Sequence, residues 1–312
     1  ANLISEYDYY LEGKTHELDN ISDWISCITI LPDGQIISAC EDGTLKVWNI
    51  QTKKVYYIFG NDSIQCIAEL PDGRIVNEIC NNKLKIWNVK SGKRKGVPYD
   101  KNDIILKGHA QTINCIAILP DGRIASGSWD GTIKIWNVET GQCDITLKNY
   151  GDPVTCIAIL STEGQDVRII CCSYNLFGNA ICKLRIWNIR TGECEKIFIE
   201  DNPWITCVTI LLDGRIISGS SGGELKIWNV ETGECDATLD NYYDYIHCIE
   251  VLPDGRVVSG STDETIKIWN IQTRRCEQIL GGNIGQVHCI KLLSDGRIVS
   301  ASKKHGSLRI WY

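Results

Sequence analysis

The stretch Ile113–Leu147 reads INCIAILPDGRIASGSWDGTIKIWNVETGQCDITL. It holds four short runs of alternating apolar character, Cys115–Leu119, Arg123–Gly127, Thr132–Asn137 and Cys143–Leu147, rich in Ile, Val, Thr and Trp. Alternation of period two over five or six residues predicts strands. The connections carry turn chemistry: Pro120-Asp121-Gly122 presets a tight turn, Asp130-Gly131 suits a hairpin, and Gly141 tolerates positive φ. The unit is therefore expected to be an antiparallel four-stranded meander.

The pattern returns along the chain. The Trp that closes the third run recurs at Trp48, Trp87, Trp136, Trp187, Trp228, Trp269 and Trp311, at intervals of 39 to 51 residues. A cysteine marks the first run of every unit, at Cys27, Cys66, Cys115, Cys156, Cys207, Cys248 and Cys289. Four strands repeated at a period of ~40 residues predict a radial array of small sheets, a β-propeller, rather than a sandwich. Seven tryptophans predict seven blades. The last unit stops after its third run, while a lone strand-like segment, Lys14–Leu18, precedes the first. The two ends are expected to complete one blade and close the ring, leaving no open sheet edge. The expected organisation is all-β, with a single propeller over residues 13–312 and an extension, residues 1–12, outside the repeat. Two units are enlarged, by Ser91–Asp103 in the second and by Ser161–Asp166 and Tyr174–Ile181 in the fourth.

These units resemble the WD repeats of the WD40 family, most closely at Ser126–Asn137, SGSWDGTIKIWN. The resemblance runs through essentially the whole chain. Its departures are that Trp-Asp is Trp-Asn in six units and Trp311-Tyr312 in the last, and that only Gly108-His109 keeps the Gly-His pair. The resemblance implies a scaffold, substrate adaptor or assembly subunit without catalysis of its own. It also implies a role for His109, Ser126, Asp130 and Trp136 as a buried hydrogen-bond chain, which satisfies polar groups that are costly to bury. A hydrolase triad is the competing reading of His109, Ser126 and Asp130, but no nucleophile elbow accompanies them. Ser38 with Asp42 and Ser259 with Asp263 repeat part of the chain, and Asn77 and Asn81 stand in for it in the second unit. The fourth unit is expected to lack it, through drift, through lower rigidity of blades 2 and 4, or through loops altered for a partner.

The chain has 312 residues, 43% hydrophobic and 23% charged, with a mean hydropathy of −0.12. That is the composition of a soluble globular protein with a sizeable core. No apolar run approaches a membrane span and no signal pattern opens the chain, so an intracellular, cytoplasmic protein is expected, and a nuclear or virion-associated one is compatible with the same features. A net charge of −7 and a pI near 5.4 argue against a nucleic-acid partner, which would need a basic surface. The 16 cysteines follow the repeat, and equivalent positions in successive blades lie too far apart to bridge. They read as small buried hydrophobes in a reducing compartment rather than as a disulfide framework. Cys171, Cys172 and Cys182 do not compose a metal site, because adjacent strand residues point to opposite faces. No cofactor or small-molecule substrate is implied, and an enzyme is the remote reading.

Antiparallel connectivity places the second-to-third turns and the between-blade connections on one face, the top, and the other turns on the bottom. At the top, Trp24, Trp204 and Tyr245 stand three residues before their repeat cysteines and Trp129 occupies a second-to-third turn, with Asp62, Asp152 and Asp244 nearby. Aromatics at turns either cover their own blade or bind something. Together with acids they suit a basic or Arg-containing peptide, through charge steering and cation–π contact. At the bottom, the arginines of the Asp-Gly-Arg turns are expected to pair locally. Lys53, Lys54, Lys93, Arg94, Lys95, Arg274 and Arg275 make a second candidate surface, for an acidic partner, with solvated charge as the alternative. Two functions compete: an adaptor that binds a partner protein or peptide through the top, and an architectural subunit fixed in a large assembly through several faces.

Overall fold

The computed structural model describes residues 15–18, 24–52, 54–59, 63–87, 103–161, 167–174, 182–200, 204–240, 244–281, 285–302 and 306–312. Among these residues are 28 strands and no helix. They form seven four-stranded antiparallel sheets, each following chain order from inner to outer strand except the last. Blade 3 illustrates the local rules. Its strands Ile113–Ile118, Ile124–Ser128, Thr132–Trp136 and Cys143–Lys148 fall within two residues of the alternating runs. Gly122, Gly131 and Gly141 adopt φ of +84°, +71° and +70° at the three turns, a region open to residues without a Cβ.

The last blade is built from both ends of the described chain. Its strands are Val287–Leu292, Ile298–Ser302, Leu308–Trp311 and, outermost, Thr15–Leu18. Thr15 pairs with Trp311 and Leu18 with Leu308 in an antiparallel ladder. The expected closing segment is thereby realised over residues 15–18; Lys14 and residues 1–12 lie outside the described residues, as do Ser91–Asn102, 162–166 and 175–181 of the enlarged loops.

The core is distributed over the blade boundaries rather than gathered at one centre. Leu119, Ala125, Ile133, Ile135 and Leu147 of blade 3 pack on Val154, Ile169, Cys171, Trp187 and Ile189 of blade 4, and the other boundaries repeat this. Blades approach so closely that a Cβ on Gly127 would lie 2.4 Å from Val154 Cγ1 and 2.7 Å from Cys115 Sγ. Blade 2 has Glu78 in the position of Gly127, and there the first strand, Ile67–Glu69, begins late. In the other six blades a bulge precedes the repeat cysteine, as between Ile113 and Cys115. A bulge re-aims one side chain. In blades 1, 3 and 5 that side chain stitches neighbours together: Asn114 Nδ2 donates to the Val154 carbonyl of the next blade at 2.8 Å, and the hydroxyls of Ser26 and Thr206 donate to the carbonyls of Ile64 and Ile246.

Candidate interaction surface

Main-chain bonds define the top face. The residue that enters a first strand accepts from the residue just beyond the second strand: Glu41 N–H donates to Trp24 O at 2.9 Å, Trp129 to Thr112 at 2.9 Å, Ser221 to Trp204 at 2.8 Å and Thr262 to Tyr245 at 3.0 Å. Turn aspartates brace the same face, with Asp42, Asp130 and Asp263 each accepting from the amide and the hydroxyl of the threonine two residues on. On this frame Trp24, Trp129, Trp204 and Tyr245 stay 49%, 41%, 48% and 43% exposed. Trp24, Trp204 and Tyr245 hold equivalent positions in blades 1, 5 and 6. The Trp129 indole is oriented by donation from Nε1 to Asn114 Oδ1 at 2.7 Å. Tyr245 stacks on His247, and His247 on His288 of blade 7, with ring centroids 4.0 Å apart in the second pair. This aromatic and imidazole run across blades 6 and 7 was hidden in the sequence, although both histidines occupy the bulge position that stitches blades 1, 3 and 5 to their neighbours.

Beneath this face, His109, Ser126, Asp130 and Trp136 are in contact. Trp136 Nε1 can only donate, and does so to Ser126 Oγ at 2.8 Å. Ser126 then donates to His109 Nε2 at 2.8 Å, and His109 Nδ1–H to Asp130 at 2.9 Å, so every group has a partner. Burial works against a charged Asp130, yet hydrogen bonds from His109, Thr132 and the Ala110 amide hold its carboxyl well below the usual carboxylate range. The Trp-to-Ser bond recurs from Trp48 to Ser38, Trp228 to Ser218, Trp269 to Ser259 and Trp311 to Ser300, and in blade 2 the acceptor is Asn77. Ser126→Ala is expected to lower stability by about 1–3 kcal/mol, because it strands the buried indole and imidazole nitrogens. Chemical unfolding checks this, and a change near zero would mean that water replaces the hydroxyl.

The family model for the WD domain, G-beta repeat (WD40), matches residues 13–49, 101–137, 192–229 and 233–270. Each match runs from the outer strand of one blade to the third strand of the next, the offset that also brings Thr15–Leu18 into the last blade. The chain carries WD40 repeats. Among solved structures, the crystal structure of the WD40 beta propeller domain of Doa1 is similar over 97% of this chain and 96% of that one, with a TM-score of 0.81 and 19% identity, a likeness of fold. No curated protein matches the chain.

Blade 4 of this WD40 propeller corrects two expectations. Asp152, expected among the acids of the top surface, is buried and committed: its Oδ2 accepts from Arg185 Nη2 at 2.8 Å and from Lys183 Nζ at 3.1 Å. Nor does the blade lack a polar network. Arg185, 2% exposed, also donates through Nη1 to Asn149 Oδ1 at 2.9 Å and Ser173 Oγ at 2.6 Å. Cys171 stands where five of the other blades have serine, and the network moves to the guanidinium. Tyr150 takes the sequence place of His109 but swings outward at φ +56°, stacking near Trp187 while Asn149 turns in.

Of the remaining candidates, Asp244 is exposed and Asp62 lies outside the described residues. On the bottom, Arg123, Arg215, Arg256 and Arg297 each lie 2.7 Å from their turn aspartates, and Arg74 lies 2.6 Å from Asp72. Arg168 turns instead to Glu195 at 2.8 Å. Arg274 and Arg275 are exposed, and Arg274 sits at φ +58°. Lys53, Lys93, Arg94 and Lys95, and the side chain of Lys54, lie outside the described residues. Among the described residues no group of three or more His, Cys, Asp or Glu side chains is placed to hold a metal.

Proposed function

We propose that this WD40 propeller is a non-catalytic adaptor that binds a basic or Arg-containing segment of a partner protein on its top face. The observation that carries this is the set of three large aromatics, Trp24, Trp204 and Tyr245, left nearly half exposed at one equivalent position while their own carbonyls each accept a main-chain hydrogen bond. Rigid aromatic surface of this kind is favoured where binding energy concentrates, and its faces attract guanidinium and ammonium groups. Asp244 and Glu41 supply acid beside Tyr245 and Trp24; Asp152 does not contribute. A non-catalytic role is supported by the fate of the triad-like residues: Ser126 and His109 are buried, and the serine oxygen already accepts the Trp136 N–H.

Selection of binders from a random peptide library against the folded chain tests the reading. Selected peptides should be enriched in Arg and Lys, and replacing both Trp24 and Trp204 with alanine should weaken them by about tenfold or more with an unchanged melting temperature. Unaltered affinity in that variant would remove the top face as the binding surface. An architectural subunit would instead show loops of both faces and the rim protected together in the native assembly.

A further inference from the structure

The charge pattern of the bottom face differs between the two boundaries of blade 3. Between blades 2 and 3, Arg74 Nη2 lies 3.3 Å from Glu139 Oε1, above a groove of about 240 Å³ also lined by Asp72, Asp121 and Arg123. At the next boundary the corresponding residues are Arg123 and Arg190, since Arg190 follows Ile189 as Glu139 follows Val138. A cation has replaced the acid. Both arginines line a larger groove of about 660 Å³ whose apolar lining is Pro120, Ile145, Val167 and Ile189. Ile189 is buried in the boundary core, while Ile145 and Val167 are only partly covered. Among the described lining residues Asp121 is the one carboxylate, and it engages Arg123 through Nε at 2.7 Å. Arg190 is exposed. An apolar floor beneath two guanidinium groups, in a space the size of ligand sites, calls for an occupant that is apolar and anionic together. Guanidinium forks also match carboxylates in a planar, two-bond geometry.

We propose that the groove between blades 3 and 4 docks an acidic, hydrophobic peptide segment of a partner protein, its apolar side chains on Ile145, Val167 and Ile189 and its carboxylates on Arg123 and Arg190. This site lies on the opposite face from the aromatic surface and takes the opposite charge, so neither depends on the other.

Fluorescence anisotropy with the full chain and three labelled probes tests the proposal: Gly-Asp-Leu-Phe-Asp-Gly, Gly-Lys-Leu-Phe-Lys-Gly and Gly-Asp-Ser-Ser-Asp-Gly. The first should bind, and at least about tenfold more tightly than the other two. Arg190→Glu rebuilds the charge arrangement of the neighbouring boundary and should weaken the first probe by about tenfold or more, with Arg190→Gln intermediate. Trp204→Ala should leave this binding unchanged, which separates the site from the top face. Failure of the first probe to bind, equal binding of the lysine or serine probe, or indifference to both Arg190 variants would each overturn the proposal.

Discussion

Replacing Asp152 with alanine is expected to lower the unfolding free energy by about 3–5 kcal/mol, the cost of leaving a buried charge without its counter-ion. Arg185 is enclosed at the boundary of blades 3 and 4, and Asp152 is the carboxylate on its Nη2. Asn149 and Ser173 would remain as neutral acceptors. They satisfy hydrogen bonds but do not offset charge. Combining Asp152→Ala with Arg185→Met should recover most of the loss, because an apolar chain of similar length needs no partner there. Urea unfolding of the two variants decides the matter. A loss below about 1 kcal/mol for Asp152→Ala would be the behaviour of a solvent-screened surface pair.

Glu78→Gln is expected to stabilise the protein in mildly alkaline solution and to leave it nearly unchanged in mild acid. Burial drives the Glu78 carboxyl up to about 7 from an ordinary value of 4.5, against the lowering effect of the Ile113 amide, which donates to Oε1 at 3.1 Å. Oε2 has no hydrogen-bond partner among the described residues. A pKa raised in the folded state means that the folded protein holds the proton more tightly than the unfolded chain. The favourable contribution is therefore complete below the unfolded value and is lost as pH rises through about 7. The parent should lose on the order of 3 kcal/mol across that window, and the glutamine variant should not. Unfolding midpoints on either side of the window measure it. Parallel curves for parent and variant would place Glu78 near its ordinary value.

Both sites show what could be read from the residues alone. The tryptophan and cysteine intervals carried the blade number, the strand positions and the closing segment, because each depends on local alternation and on turn residues that act within a few positions. Trp24, Trp129, Trp204 and Tyr245 were legible as exposed aromatics for the same reason: register sends them to one face. Asp152 was not. Its sequence position matches that of the exposed Asp244, and its burial follows from Tyr150 turning outward, Asn149 turning inward and Arg185 standing where blades 1, 2, 3, 5 and 6 have lysine. Glu78 belongs to the same class. That a small residue is needed opposite the next blade becomes visible only when Gly127 is seen against Val154 and Cys115. Non-local contacts, not propensities, decide these positions.

The antiparallel ladder between Thr15–Leu18 and Leu308–Trp311 also constrains the order of events during synthesis. The segment that emerges early has no strand to join until the latest-made one has left the ribosome. Six blades can assemble as they are translated, with neighbours packing in turn. The seventh must wait, with the inner strands of blades 1 and 6 each missing one neighbour in the meantime. Non-local pairing of this kind slows folding and leaves sheet edges open to the wrong partner. The completed ring is then held at its latest-forming joint, so any shortening of the four-residue ladder at either end would be felt as a delay in folding before it was felt as a change in shape.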